Sequence, residues 1–511
     1  MANRYLVSGG TGNWNSTTNW SDTDGGASGA SFPTSADAVF FTSLSLNAPI
    51  TTNVAASALS LTVSGTYAGT ITMTNILTIS GAATFLSTMI ISGSAVFRLQ
   101  STATHTSNGK VIPNLQFYAT GATITHTLAD DFTVTNLSFA SAAQFVILNG
   151  FTVNINGNLT ATAGSVTGTT NLIMDGTGTW SGSNGIGLNL TFNTAGTITI
   201  SGNVAHSAKT ITYTAGTMVV AGSQCSFGGT QTINTSGMTW NDINNLSTNG
   251  TITLTSNISA VNVSAGSTSS DGTINGFTVF VSGNLTFNQT TGRTLGTTVF
   301  TMTGTGTLSS LNTSGKTQND ITFDTAGSII ISGAINYSNG TITYTQGTID
   351  ATGSTLNIKG SATLNTNGMS WYDFTVSATS TITNNSLLTV TNTMTYSAAV
   401  TWAGTSAWTA QNITDTTAGL THTLVAALTY TINGLMTMQG TPSNKKTIKS
   451  SIASSYALLN LKSGQNNLFL NGTDIDSSGG LRIYSRGGTI TRCLNWAQKP
   501  QNIRIIKFPI I

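Results

Sequence analysis

The sequence predicts an all-β fold, an elongated parallel β-helix or β-solenoid with terminal caps. Three observations predict it: a composition that disfavours helices, an internal repeat, and a long stretch without proline. Among the 511 residues, 6% are charged, all 15 acidic residues are Asp, and Gly occurs 55 times. Gly, Thr and Asn are poor helix formers, whereas Thr, Val and Ile suit a pleated surface. The hydrophobic content of 39% and the net charge of +2 argue against a disordered chain.

Residues 1–45 are predicted to form an N-terminal cap or attachment segment. They contain Trp14 and Trp20, whose indoles could cover the apolar end of the first rung, meaning one turn of the solenoid. A solenoid must shield that end to remain soluble. The alternative is that both tryptophans bind a glycan by stacking on it. The chain does not begin with a basic segment followed by an apolar one, so no secretory signal is expected.

Residues 46–440 are predicted to form the solenoid itself, built around a unit of about 130 residues that occurs twice, at about 149–274 and 275–400. The segment NLTFNTAGTITI at 189–200 matches DITFDTAGSIII at 320–331. Short segments within the unit alternate apolar and polar residues and end at Gly, Ser or Asn, as half-buried strands followed by turns do. If a rung takes roughly 20–25 residues, as in the shorter solenoid repeats, the proline-free middle of the chain holds roughly 15 rungs.

Proline placement supports the solenoid over its main alternative. No proline lies between residues 114 and 441. Proline removes a donor from the strand ladder, so a stretch of this length without it indicates backbone that is bonded on both sides. The alternative is a string of β-sandwich domains, which would present many edge strands, where proline and charged residues are common. Few of either occur in this region, which favours stacked rungs.

Residues 441–511 are predicted to form a basic C-terminal cap or docking region. Ten of the 17 Lys and Arg residues lie here, accompanied by the acidic residues Asp474 and Asp476. The region could cap the solenoid, trimerise it or dock it onto a larger assembly. A solvated cap face is favoured over a nucleic-acid site, because the aromatic residues of a single-strand platform are not interleaved with the basic ones.

The best candidate for acid–base chemistry is the group Asp474, Asp476 and Arg482. On a strand, two carboxylates two residues apart would share one face, and glycoside hydrolysis needs a pair of carboxylates about 5–10 Å apart. The favoured alternative is a turn, since DIDSSGG is rich in turn-forming residues. The four histidines lack a partner at metal-ligand spacing, so neither a metal nor a cofactor is expected. Cys225 and Cys493 are predicted to be free thiols, with a long-range disulfide as the alternative.

The start of the chain carries a recognisable pattern. GTGNW at 10–14 is followed by NWS at 19–21 and by PTSAD at 33–37. This run of about 35 residues resembles the start of phage minor structural proteins, which are fibre or appendage proteins. More distantly, it is similar to repeat-rich bacterial surface proteins of the autotransporter type. The resemblance implies a structural role in a virion or on a cell surface, without implying a particular partner.

The resemblance and the composition together predict a structural, non-enzymatic virion protein of a phage: a tail fibre, tail tip or head appendage that adheres to the host. The expected partners are other virion proteins, a host-surface glycan and further copies of the chain, with a trimer favoured. A glycan-degrading tailspike enzyme and a bacterial surface adhesin are the alternatives. The protein is expected to be made in the host cytoplasm and released by lysis. No membrane span is expected, because no stretch approaches roughly 18 apolar residues.

Overall fold

The structure is a computed structural model, and it describes residues 2–7, 12–120, 122–141, 145–162, 164–246, 250–266, 271–288, 292–311 and 315–498. It confirms the predicted fold class, because the strands of the described residues pair almost entirely in parallel and form a β-solenoid of about 21 turns. Two short 3-10 helices, Thr17–Asn19 and Ser43–Ser45, lie near the N-terminus. The chain divides into two compact units, Met1–Asn244 with Gly250–Ile258, and Asn245–Asn249 with Ser259–Ile511.

The strands that lie mainly in the first unit are β1 (Asn3–Leu6), β2 (Gly12–Asn13), β3 (Trp20–Ser21), β4 (Ala38–Phe41), β5 (Ile50–Thr51), β6 (Ala56–Ala58), β7 (Ser60–Val63), β8 (Thr70–Met73), β9 (Leu77–Ile79), β10 (Ala83–Thr84), β11 (Ile90–Gly93), β12 (Phe97–Leu99), β13 (Ala103–Thr106), β14 (Val111–Ala119), β15 (Ile124–Leu128), β16 (Phe132–Ser141), β17 (Val146–Asn149), β18 (Thr152–Ile155), β19 (Leu159–Ala161), β20 (Val166–Met174), β21 (Gly178–Ser181), β22 (Gly185–Ser201), β23 (Asn203–Ser207), β24 (Thr210–Val219), β25 (Gln224–Gly228), β26 (Gln231–Asn234), β27 (Thr239–Leu246) and β28 (Thr251–Leu254).

The strands that lie mainly in the second unit are β29 (Ile258–Ala265), β30 (Gly272–Gly276), β31 (Val279–Val281), β32 (Leu285–Phe287), β33 (Arg293–Leu295), β34 (Val299–Met302), β35 (Gly306–Ser310), β36 (Lys316–Thr317), β37 (Asp320–Ser332), β38 (Ala334–Tyr337), β39 (Thr341–Asp350), β40 (Thr355–Ile358), β41 (Ala362–Asn365), β42 (Ser370–Val376), β43 (Ser380–Asn384), β44 (Leu388–Tyr396), β45 (Val400–Ala403), β46 (Trp408–Asp415), β47 (Thr421–Leu424), β48 (Thr429–Ile432), β49 (Met436–Gln439), β50 (Lys446–Ser450), β51 (Ala457–Leu461), β52 (Gln465–Leu468), β53 (Leu470–Thr473), β54 (Ile475–Asp476), β55 (Ile483–Ser485), β56 (Ile490–Thr491) and β57 (Trp496–Gln498).

Successive rungs of the first unit stack in register. Val39 pairs with Leu61, Leu61 with Ala83, and Ala83 with His105, so each of these rungs takes 22 residues. This spacing agrees with the predicted rung length. Burial alternates along the strands, as in β7, where Leu61 and Val63 are buried and the residue before each is half-buried. Apolar side chains therefore stack on one another inside the solenoid, and polar ones lie outside.

Asparagine side chains bond equivalent corners of successive rungs in both copies of the repeat. Asn136 Oδ1 accepts a hydrogen bond of 2.9 Å from the backbone N–H of Asn158. In the second unit, Asn262 Oδ1 accepts a bond of the same length from the backbone N–H of Asn284. Each residue of the second pair lies 126 residues after its counterpart, which is the offset of the matched NGFTV segments in this part of the sequence.

A second contact recurs further along the repeat. The Tyr213 hydroxyl donates to the Gly216 carbonyl at 2.7 Å, and the Tyr344 hydroxyl donates to the Gly347 carbonyl at 2.8 Å. These tyrosines are 131 residues apart, as are the matching TITYT segments. The number of residues between matching positions of the two copies thus increases from 126 to 131 along the repeat, while the local contacts are the same in both copies. Insertions in the loops between rungs would have this effect.

The two terminal regions differ in how they join the ladder. In the N-terminal segment, β1 pairs with β3 in the antiparallel sense and with β4 in the parallel sense. At the other end, β50 pairs in parallel with both β47 and β53. The ladder thus continues past the predicted boundary at residue 440, because buried positions such as Ile448 and Leu459 keep the alternation while charges such as Lys449 are added on the outside.

Parts of both terminal predictions fall outside the described residues. These parts are the first two residues of the GTGNW pattern, at 10–11, and the apolar and basic tail at 499–511. Within the described part of the chain, no helix has the length and apolar character needed to cross a membrane.

Candidate functional site

Trp14 and Trp20 pack against each other inside the N-terminal segment. They are 1% and 0% exposed, and their rings meet edge to face with centroids 5.1 Å apart. Trp20 Nε1 donates to the Trp14 carbonyl at 2.8 Å, and the Trp20 ring stacks on Phe41 at 6.3 Å. Stacking on a glycan requires an exposed ring face, and neither indole has one in this structure. Their packing is that expected of the capping interpretation.

Asp474 forms an ion pair with Arg492, a residue that the sequence analysis did not single out. Arg492 Nε and Nη2 donate to the two carboxylate oxygens at 2.6 and 2.7 Å, and the backbone N–H of Ser454 donates at 3.1 Å. The hydrogen bonds from Arg492 hold the pKa of Asp474 below its ordinary value. A general acid needs a raised pKa, so this carboxylate is poorly suited to that role.

Asp476 and Arg482 belong to separate contacts. Asp476 accepts a hydrogen bond of 2.7 Å from the backbone N–H of Ser478, which is the geometry of a turn stabilised by an aspartate. Arg482 Nε donates to Asn495 Oδ1 at 3.4 Å. Asp474 adopts a left-handed backbone with φ of 54°, so the simple two-residue alternation that would place both carboxylates on one face is interrupted. The three residues therefore do not converge on one reacting position.

Asp320 occupies the place of an asparagine in the other copy of the repeat. Its Oδ1 accepts from the backbone N–H of Thr341 at 2.7 Å. In the first copy, Asn189 Oδ1 accepts from the backbone N–H of Thr210 at 3.1 Å. The same contact is made by a carboxylate in one copy and by an amide in the other, so the charge of Asp320 is not needed for it. This supports a structural role for the side chain.

Two of the four histidines bond to each other in the core of the first unit. His105 Nε2 lies 3.0 Å from His126 Nδ1, and both side chains are fully buried. Burial lowers the pKa of His105 to about 4 and that of His126 to about 3. Cys225 and Cys493 are both free thiols. The described residues contain no cluster of three or more His, Cys or Asp side chains that could hold a metal ion.

An open pocket of about 150 Å³ lies among the last described rungs of the second unit. It is lined by the four residues of β52 together with Tyr484 and Arg486. Tyr484 is 41% exposed and presents an aromatic ring to solvent. Gln465 fixes this strand, because its Nε2 donates to the Arg482 carbonyl at 2.7 Å and its Oε1 accepts from the backbone N–H of Tyr484 at 2.8 Å. We call this group the C-terminal pocket.

The chemistry of the C-terminal pocket suits a small polar ligand with an apolar face. An exposed tyrosine ring can stack on the C–H face of a sugar. The Arg486 guanidinium supplies several N–H donors for hydroxyl or carboxylate oxygens, and the exposed Asn466 amide supplies both donors and an acceptor. A few polar groups beside an aromatic surface are typical of a binding site.

A wider polar groove of about 440 Å³ crosses several other rungs of the second unit. Its lining residues carry mainly hydroxyl and amide groups, and they are Asp320, Asn339, Gly340, Thr341, Ser361, Ala362, Thr363, Thr381 and Thr383. These groups can form hydrogen bonds with a sugar, but no aromatic ring is among the described residues of the lining. The C-terminal pocket is therefore the stronger candidate for ligand binding.

The second unit also contains a buried polar cluster that the sequence analysis missed. Asp415 Oδ1 lies 2.5 Å from Lys446 Nζ, and Asp415 Oδ2 lies 2.6 Å from His422 Nε2. The three side chains are at most 3% exposed. No sequence motif links them, because Asp415 ends β46 whereas Lys446 begins β50. The strands and loops between these two residues vary in length, so their contact does not follow from a fixed spacing. A lysine at a buried strand position beside Ile448 was the available signal.

Comparison of the chain with protein-family models, with curated proteins and with solved structures gave no match.

Proposed function

We propose that this chain is a structural, non-enzymatic component of a phage virion, a tail fibre, tail tip or head appendage, that adheres to glycans on the host surface. The observation that carries the adhesive part of the proposal is the C-terminal pocket. There Tyr484 and Arg486 place an exposed ring and a guanidinium beside the amides of β52.

The solenoid supports the structural part of the proposal. Stacked rungs bond to neighbours on both sides, which protects the backbone of a protein that works outside a cell. Only 6% of residues are charged, so side chains stacked on like side chains avoid repulsion between rungs. The proposal that the chain belongs to a virion rests on the resemblance of the N-terminal segment to phage minor structural proteins.

Adhesion through a pocket of this size would be weak for a single chain. Several copies in one assembly would raise the apparent affinity, because the second and third contacts become intramolecular. We therefore propose a homo-oligomer, a trimer above other states, attached to other virion proteins. Mass photometry of the purified chain tests the trimer directly, and a mass of one chain at micromolar concentration would overturn it.

The adhesive function can be tested on an array of bacterial surface polysaccharides. We expect the chain to bind at least one of them, and we expect Tyr484→Ala and Arg486→Ala each to weaken binding about tenfold without lowering the melting temperature. Tyr372→Ala is the matched control, since Tyr372 is half-buried on β42 of the same unit, away from the pocket lining. A wild-type chain that binds none of the polysaccharides would overturn the adhesive proposal.

Two further measurements separate the alternatives. Release of new reducing ends from a bound polysaccharide would identify a glycan-degrading tailspike and overturn the non-enzymatic proposal. Antibodies against the chain should label an appendage on phage particles by electron microscopy. Label on bacterial cells in place of particles would identify a bacterial surface adhesin.

A further inference from the structure

The cluster of Asp415 and Lys446 places a carboxylate and an amine in direct contact inside the second unit. Both side chains are 0% exposed, and Asp415 Oδ1 lies 2.5 Å from Lys446 Nζ. Thr417 closes the cluster, since its carbonyl contacts Lys446 Nζ and its backbone N–H donates to Asp415 Oδ1 at 3.2 Å. Removing two charges from water is costly even when they are paired, so this arrangement calls for an explanation beyond stability.

The surroundings of the cluster are apolar. A cavity of about 20 Å³ lies beside it, lined by His422 and by nine apolar or aromatic side chains. The ring of Tyr396 lies 4.5 Å from that of His422. In such surroundings the neutral amine is favoured over the ammonium ion. Burial accordingly lowers the pKa of Lys446, which favours the nucleophilic, uncharged amine.

We propose that Lys446 and Asp415 join in an intramolecular isopeptide bond, with His422 as the catalytic proton carrier. The lone pair of Lys446 Nζ attacks Asp415 Cγ and forms the C–N bond. The bond from Cγ to Oδ2 then breaks, and its electron pair leaves with Oδ2. Starting from the ammonium and the carboxylate, two protons pass from Nζ to Oδ2, one amide proton stays, and one water molecule is released. No oxidant or other reactant is needed.

The position of His422 matches the proton transfers that this reaction requires. Its Nε2 lies 2.6 Å from Oδ2, the oxygen that leaves as water. Its Nδ1 is buried and makes no hydrogen bond within the described structure, so the ring takes up and releases the transferred protons at Nε2. The adjacent cavity has about the volume of one water molecule, and His422 is part of its lining.

The bond would link the end of β46 to the start of β50 and so join one rung covalently to a later one. It would close the chain between residues 415 and 446, next to the rungs that carry the C-terminal pocket. A closed segment cannot separate on unfolding, which limits the freedom of the unfolded chain. This inference does not depend on the proposed function, because the bond needs only the buried cluster.

The first test is the intact mass of the denatured wild-type chain. We expect a mass below that of the sequence by one water molecule. Trypsin should then release residues 360–445 joined to residues 446–449 through the Asp415 side chain, because trypsin cuts after Lys445 but not after an acylated Lys446. An unmodified mass, or separate peptides without the branched product, would overturn the proposal and leave a buried ion pair only.

Substitutions test the roles of the individual residues. Lys446→Met should restore the full mass, whereas Lys449→Met, an exposed lysine on the same strand, should keep the loss of water. Asp415→Asn should form the same amide with loss of ammonia. In freshly synthesised chain, His422→Gln should slow bond formation by a factor of about 100, as loss of a general acid–base does. Equal rates for wild type and His422→Gln would overturn the role of the histidine. The wild-type mass remains decisive if a variant fails to fold.

Discussion

Asp474 and Arg492 are joined by two hydrogen bonds, of 2.6 and 2.7 Å, between consecutive rungs. The carboxylate is 3% exposed, while half of the arginine side chain remains in solvent. Arg492 follows Asp474 by 18 residues, which is close to the length of one rung. The two side chains therefore contact each other across neighbouring rungs, as the stacked apolar side chains do inside the solenoid. The contact bonds the last described rungs to one another near the C-terminal pocket.

This ion pair predicts an acid-sensitive contribution to stability. Because the pKa of Asp474 is lowered in the folded state, the contribution is present above the unfolded pKa, near 4, and is lost as the pH falls through the folded value. We expect Asp474→Asn to lower the melting temperature at pH 7, and we expect its difference from the wild type to shrink as the pH falls below about 4. Asp476→Asn, in the adjacent turn, is the control and should change little. A difference of equal size at pH 7 and pH 2 would contradict the role of the charge.

The buried pair His105 and His126 also predicts a loss of stability on acidification, and this loss should begin at a higher pH than that of the Asp474 ion pair. Burial lowers their pKa values to about 4 and about 3, so both stay neutral in the folded chain while the unfolded chain binds protons below about pH 6.5. Stability should therefore fall as the pH drops from about 6.5 to 4, by about 3 kcal/mol for His105 alone. The double variant His105→Leu with His126→Leu should show a flatter pH dependence of the melting temperature over this range. The same slope in both proteins would contradict the prediction.

The duplicated unit and the strand alternation could be predicted from the sequence because they depend on matched segments and on local alternation, whereas the rung length comes from shorter solenoid repeats in general. The 22-residue steps from Val39 to Leu61 and Ala83 agree with that length. Side-chain partners could not be predicted in the same way, because they depend on corners and loops between strands. Asp474 illustrates this, since its left-handed backbone interrupts the alternation on which the sequence prediction rests.

Replacing two aromatic residues with alanine should have opposite effects, since one change should lower stability and the other should weaken polysaccharide binding. Trp20 is fully buried between Trp14 and Phe41, so Trp20→Ala should cost about 3–5 kcal/mol of stability, as for other large core residues. Tyr484 is 41% exposed, so Tyr484→Ala should leave stability nearly unchanged and weaken polysaccharide binding. Thermal unfolding and array binding of both variants check the pair. Loss of binding by a still-folded Trp20→Ala chain would return that residue to the list of glycan ligands.

Two glycines of the first unit should differ sharply when changed to alanine, although both have positive φ. At Gly168, with φ of 134°, an added Cβ would lie against the carbonyl group of Leu148 on the preceding rung, whereas at Gly202, with φ of 69°, it would meet open space. Gly202→Ala should therefore cost only the strain of a left-handed backbone, about 1 kcal/mol, and Gly168→Ala should exceed about 3 kcal/mol, because the rung must also move apart. Hydrogen exchange followed by mass spectrometry can localise the effect, with faster exchange expected around β17 and β20 in Gly168→Ala alone. Equal exchange in both variants would mean that the close packing of β20 on β17 does not require a glycine at position 168.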